Sequence, residues 1–175
     1  MKQLLSLFFA MAAMVLTAAP QSQPPATPTN APFSIELHDQ YDAPQTLLFP
    51  AQKLTVLTIA DKKGSEQIAG WVAPLKQRFG TQIDIRGLAD VSAVPRPLRP
   101  MVRKKFQKVQ PFPVMMDWTG ETVKAFTYVP DKANILFLNE RGQILRRYSG
   151  EASPKALQDL RAAIQAALSN FPALN

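Results

Sequence analysis

No cysteine occurs anywhere in the chain. That absence removes disulfides, thiolate metal sites and thiol catalysis together. It also leaves no lipid-accepting thiol, so the chain is not a lipoprotein. Only one histidine, His38, is present, which leaves little room for a histidine-based metal site or a catalytic triad. Acidic residues are in the minority, 13 against 20 Lys and Arg, for a formal charge of +7. Such a balance favours solubility and weak attraction to anionic surfaces, and it does not identify a partner. What remains is ample for a fold: 175 residues, 46% of them hydrophobic, suffice for one globular domain with a real core.

Long apolar runs are also scarce, with one exception at the start. Residues 1–19 read as a signal peptide. Lys2 supplies the positive charge, residues 4–16 are uncharged and apolar, and Thr17, Ala18 and Ala19 offer small residues for cleavage. The run is short for a membrane span, which needs roughly 20 apolar residues. The chain is therefore expected to be periplasmic or secreted, cut after Ala18 or Ala19. The alternative is a membrane anchor made by an uncleaved signal. Residues 20–32 carry Pro24, Pro25, Pro28 and Pro32 among small polar residues and predict a semi-rigid polyproline linker. The domain is expected over 33–170.

The domain is organised around residues 53–79. A β-branched run, 54–60, has the composition of a buried strand. The polar turn 61–64 follows, then Ser65 as a helix cap with Glu66 in the first turn. Ile68, Val72, Leu75 and Phe79 recur at helical spacing and predict the buried face. Pro74 removes a backbone donor inside this helix and predicts a kink. A strand feeding a helix through a tight turn puts that turn at the carboxyl edge of the sheet, where ligands usually bind in open α/β folds.

Around this unit, Phe33, Ile35 and Leu37 alternate as a strand, and 46–49 can return beside it. A strand is expected over 82–89, ending at Asp90. A helix should begin near Pro97, with Leu98, Val102, Phe106 and Val109 as its apolar stripe. A short strand at 113–117 and a helical turn at 121–128 follow. Residues 134–138 and 143–148 predict a hairpin turning at Gly142. The last helix is capped by Ser153 with Pro154 at its first position, and it buries Leu157, Leu160, Ile164 and Leu168. The order predicts an α/β three-layer sandwich, a mixed central sheet with helices on both faces.

Three stretches carry a resemblance to a known family. They are Phe33-Ser34-Ile35-Glu36-Leu37 with Asp39, Phe112-Pro113-Val114-Met115-Met116-Asp117, and Leu136-Phe137-Leu138-Asn139-Glu140-Arg141-Gly142-Gln143-Ile144 with Gly150 beyond it. In their order and spacing they resemble the exported branch of the thioredoxin-like superfamily, the thiol-disulfide oxidoreductases and the alkyl hydroperoxide reductase/thiol-specific antioxidant proteins. The resemblance implies a thioredoxin-like fold. It also implies that the turn Lys63-Gly64-Ser65-Glu66 stands where the family has its Cys-x-x-Cys motif, with Lys63 and Glu66 at the cysteine positions. Ala133 stands at the family's *cis*-proline, and a *trans* peptide is expected there because a *cis* bond is costly without proline. With both halves of the redox site replaced, neither thiol-disulfide exchange nor cysteine-based peroxidase activity carries over.

Two constellations remain. Asp61, Asp90 and Asp117 each end an expected parallel strand and could hold Ca²⁺ or Mg²⁺ at one sheet edge. Turns favour Asp for their own reasons, and that bland reading is preferred. Arg96, Arg99, Arg103, Lys104, Lys105 and Lys108 form a basic run with no acid between 94 and 112. Arg96, Arg99, Arg103 and Lys104 share one arc opposite the apolar stripe, which gives either a solvated helix face or a surface for an anionic partner. The expectation is a non-catalytic envelope module binding a protein or peptide, with no cofactor and no nucleic acid. The rival is an enzyme using the strand-end carboxylates, with or without a divalent metal.

Overall fold

The computed structural model describes residues 34–170. The signal and linker expectations, and Phe33, lie outside them. Seven strands and four helices follow in the order β1 (Ser34–His38), β2 (Pro44–Leu48), β3 (Thr55–Ala60), α1 (Ile68–Phe79), β4 (Asp84–Asp90), α2 (Arg99–Val109), β5 (Val114–Asp117), α3 (Glu121–Ala125), β6 (Asn134–Leu138), β7 (Ile144–Ser149) and α4 (Pro154–Ser169). The central sheet runs β5-β4-β3-β6-β7. β3, β4 and β5 are parallel neighbours, whereas β6 and β7 are antiparallel. The mixed sheet is as the element order requires.

Both crossovers, β3 to β4 and β4 to β5, step the same way across the sheet. A right-handed crossover then places α1 and α2 on one face. Side-chain parity agrees. Val56 packs with Trp71, Leu75 and Phe79 of α1 and with Leu160 and Ile164 of α4. On the same face of β4 and β5, Ala89 and Met116 pack against Val102 and Phe106 of α2. The opposite face carries Leu57, Ile59, Leu88 and Leu136. It is covered by Val123 of α3, Phe126 and the β1-β2 hairpin through Ile35, Leu47 and Phe49. The hairpin makes its own two-stranded sheet rather than extending the central one.

α1 departs from its expected stripe. Trp71, Leu75 and Phe79 are buried, while Val72 is only half-buried. Trp71 wins because its indole has two uses inside: its Nε1–H donates to the Gly150 carbonyl at 2.9 Å, and its ring stacks obliquely on Tyr148 at 5.2 Å. The helix runs on through Pro74, which forgoes the amide bond to the Gly70 carbonyl. The α4 cap is as expected, with Ser153 Oγ accepting the Ala156 amide at 3.2 Å.

α2 is half of an amphipathic helix. Val102 and Phe106 pack inward, but Leu98 and Val109, expected in the same stripe, are exposed. The packed side is rotated toward Arg99 and Arg103, which leaves Leu98 and Val109 at its solvent edge. Among the described residues no helix is long and apolar enough to cross a membrane.

Candidate functional site

The strand-helix corner after β3 is built on Asp61. Its Oδ1 accepts the Gly64 amide at 2.8 Å, and the Asp61 carbonyl accepts the Ser65 amide. Asp61, not Ser65, therefore starts the turn, and residues 64–67 form a 3-10 segment before α1 begins at Ile68. Ser65 Oγ instead donates to the Lys62 carbonyl at 2.7 Å. Glu66 is exposed.

The corner faces the loop before β6. A Cβ at Gly64 would lie 2.3 Å from the Lys132 carbonyl oxygen and 3.0 Å from the Ala133 amide nitrogen, so only glycine permits this approach. Gln67 Oε1 accepts the Ala133 amide at 3.1 Å. Asp61 Oδ2 accepts the Asp131 amide at 2.7 Å and the Tyr128 hydroxyl at 2.9 Å. Lys63 Nζ pairs with Asp131 Oδ2 at 3.0 Å, both side chains exposed. Buried Asn134 braces the loop from within: it accepts from the Val129 amide and donates to the Val129 and Lys132 carbonyls, each at 2.9 Å. The *cis* peptide among the described residues is Phe49–Pro50, and the bond preceding Ala133 is *trans*.

Three groups of the corner, Asp61, Tyr128 and Lys63, are driven away from neutrality. Burial opposes ionisation of Asp61, but the Gly64 and Asp131 amides and the Tyr128 hydroxyl outweigh it and hold the carboxyl below its usual range. Burial, then the hydrogen bond to Asp61, pushes Tyr128 far above the ordinary phenol value. The hydrogen bond and charge of Asp131 raise Lys63.

The other strand-end carboxylates turn inward to their own loops. Asp90 Oδ1 accepts from the Ser92 amide and hydroxyl, at 3.1 and 2.7 Å. Asp117 is fully buried. Its Oδ1 takes the Thr119 amide and hydroxyl and the Gly120 amide, and its Oδ2 takes the Val123 amide at 3.0 Å. Asp90 and Asp117 are register partners, so the three do share a sheet edge as expected. Asp61 and Asp117 spend both carboxylate oxygens, and Asp90 its Oδ1, on N–H and O–H donors, and among the described residues no group of three His, Asp or Glu is placed to hold a metal ion. Each carboxylate accepts from the amides of the turn it begins, a bonding pattern for which turns select Asp.

The basic arc expected on α2 is divided. Arg99 and Arg103 lie over the Trp118 ring, at 5.0 and 5.7 Å from its centroid. Arg103 Nη1 also reaches Asp42 Oδ1 at 2.7 Å and the Asp39 carbonyl at 3.1 Å. These two arginines fasten the helix to the domain and do not face solvent as an arc with Arg96 and Lys104. Arg96, Lys104, Lys105 and Lys108 are exposed.

Sequence reasoning passed over Gln67, Tyr128, Asp131 and Asn134. Asn134 left one signal, an amide at the head of an otherwise apolar strand, which burial obliges to find partners.

No protein-family model matches the sequence, and no curated protein matches it. Solved structures do match in fold. A thioredoxin-family thiol:disulfide interchange protein from Chlorobium tepidum is similar at a TM-score of 0.56 and 21% identity, over 82% of this chain and 98% of that one. The exposed lipoprotein thioredoxin Etrx1 of Streptococcus pneumoniae is similar at 0.56 and 14%, over 75% and 99%. The peroxidoxin BcpB of Mycobacterium tuberculosis is similar at 0.53 and 18%, over 86% and 99%. Sheet order, element order and these likenesses together give the chain the thioredoxin-like fold, carried by a sequence without a single cysteine.

Proposed function

We propose that the protein is an exported cell-envelope module that binds a protein or peptide and catalyses no reaction at its strand-helix corner. The observation that carries this is the state of the corner. General acid-base work needs a group that titrates near the operating pH, yet Asp61 is held low and Lys63 and Tyr128 are held high. No thiol is present to replace them as a nucleophile. Asp61, Lys63, Gln67, Tyr128 and Asp131 are tied across the corner to the facing loop, so it serves as a rigid clasp. An envelope setting is supported by the reading of residues 1–19 as a signal and by fold neighbours such as the exposed lipoprotein thioredoxin.

The test pairs two measurements on the full chain. Insulin disulfide and hydrogen peroxide should both go unturned. Tagged protein should retain a partner from the envelope fraction, untagged protein should displace it in proportion, and the purified pair should re-form. Turnover of a small substrate that disappears in the Asp61→Asn variant would sink the non-catalytic reading.

A further inference from the structure

The exposed face of α2 combines two properties that rarely coincide on a solvated helix. Among the described residues no acid pairs with its lysines, and no Asp or Glu occurs between Asp90 and Asp117 in the sequence. It also leaves large apolar side chains in water. Met101 is 61% exposed, Val109 60% and Leu98 45%.

Geometry explains how both arise. At about 100° per residue, Val102, Phe106, Arg99 and Arg103 fall on one side of the helix. That is the side packed on Met116 and Trp118. Lys104, Lys108, Met101 and Lys105 follow one another around the opposite side, and Leu98, in the turn just before the helix, and Val109 lie between Lys105 and Val102, at the solvent edge of the packed side. Arg99 and Arg103 cannot belong to this outer surface, because Trp118, Asp42 and the Asp39 carbonyl hold them against the domain.

We propose that this outer face of α2 docks the domain on an anionic lipid bilayer. Helices that lie in a bilayer interface carry apolar side chains that enter the acyl boundary beside lysines that reach the phosphates. An acidic protein surface would meet the lysines equally well. It would gain nothing from Met101 between the lysines, or from Leu98 and Val109 beside Lys105, on a convex helix. The exposed apolar side chains beside the lysines are what favour lipid. This proposal stands apart from the protein-binding reading and survives or fails without it.

The test is co-sedimentation of the full chain with vesicles of phosphatidylglycerol mixed into phosphatidylcholine, against phosphatidylcholine alone. Any contribution from the apolar N-terminal residues is common to all variants and to both vesicles. Wild type should prefer the anionic vesicles, and added salt should weaken that preference. Lys104→Gln, Lys105→Gln and Lys108→Gln together should lower affinity for them roughly 100-fold, about fivefold per cation. Leu98→Ser with Met101→Ser should also lower vesicle binding while leaving attraction to soluble polyglutamate unchanged. All these positions are exposed, so the melting temperatures should stay near that of wild type. Equal binding of wild type and the triple lysine variant to anionic vesicles would overturn the proposal. Indifference of vesicle binding to the Leu98 and Met101 changes, with polyglutamate bound as tightly as lipid, would overturn it in favour of an acidic protein partner.

Discussion

Asp61 Oδ2 accepts the backbone amide of Asp131, 70 positions away in the chain, at 2.7 Å. The other oxygen of the same carboxylate holds the turn that begins α1. One side chain thus joins the end of β3, the start of α1 and the loop before β6. The bond also fixes Asp131 in the left-handed conformation, φ 61, which a β-branched residue would resist.

The first prediction concerns acid. Asp61 and Asp117 are each opposed by burial but held below the usual carboxylate range by the amides they accept. A folded pKa below the unfolded value of about 3.9 gives stability that is complete above that value. It is lost as pH falls through the folded pKa. Asp61→Asn or Asp117→Asn replaces one accepting oxygen with a donor that faces another donor, so each should cost about 1–3 kcal/mol near neutrality. The difference from wild type should shrink below about pH 4. Urea denaturation across this range checks it, and a difference that persists unchanged into acid would contradict the assignment.

The second prediction contrasts two glycines. Gly64→Ala must force a Cβ into the Lys132 carbonyl, 2.3 Å away, which is backbone and cannot swing aside. A loss of about 1–3 kcal/mol or more is expected. Gly70→Ala lies inside α1 and meets only the Ala152 Cβ at 3.4 Å, so it should gain roughly 0.5–1 kcal/mol from helix propensity. Opposite signs in the shift of melting temperature are the expected result.

How far the sequence reached follows from which partners were local. β3 was legible because six consecutive residues are buried on both faces of a central strand, and a β-branched run is what such a site selects. The β6-β7 hairpin was legible because Gly142 takes φ 78 in its turn. The role of Asp61 was half legible: its capping of Gly64 is three residues long, but its bonds to Tyr128 and Asp131 are set by the fold. α2 misled for the same reason. Leu98 and Val109 have perfect helical spacing, but Trp118 and Asp42, remote in sequence, recruit arginines to the packed side instead. The alternation of Phe33, Ile35 and Leu37 with a return over 46–49 showed a hairpin but could not say whether it would join the central sheet.

The third prediction separates the basic residues of α2. Arg103→Gln loses the contact to Trp118, the pair with Asp42 and the bond to the Asp39 carbonyl. It should destabilise by about 1 kcal/mol, because its partners are partly solvated. It should also change the tryptophan emission. Lys104→Gln should do neither. Equal melting temperatures for the two variants would show that Arg103 is solvated after all.

The last prediction tests the correspondence of the corner with a redox turn. Lys63→Cys with Glu66→Cys places two thiols three residues apart, the first beside the 3-10 segment Gly64–Gln67 and the second within it. A helix N-terminus lowers thiol pKa through its unpaired amides, and both native side chains are exposed, so the substitutions displace no core. If the turn corresponds to the family's Cys-x-x-Cys, the pair should close under mild oxidation and show some insulin reductase activity. Activity should stay weak, because the same correspondence sets Ala133 at the proline position, and the Ala133 amide is already taken by Gln67. A frame shifted forward, Gly64→Cys with Gln67→Cys, is no control, since any side chain at Gly64 collides with Lys132 and Gln67 is needed at Ala133. Lys62→Cys with Ser65→Cys shifts the frame backward without that collision. Ready closure of this second pair but not the first would place the correspondence one residue earlier. Failure of both in a folded protein would mean that the Cα atoms stand more than about 7 Å apart or that the Cβ vectors diverge. The corner would then share the fold's path but not the geometry of a redox turn.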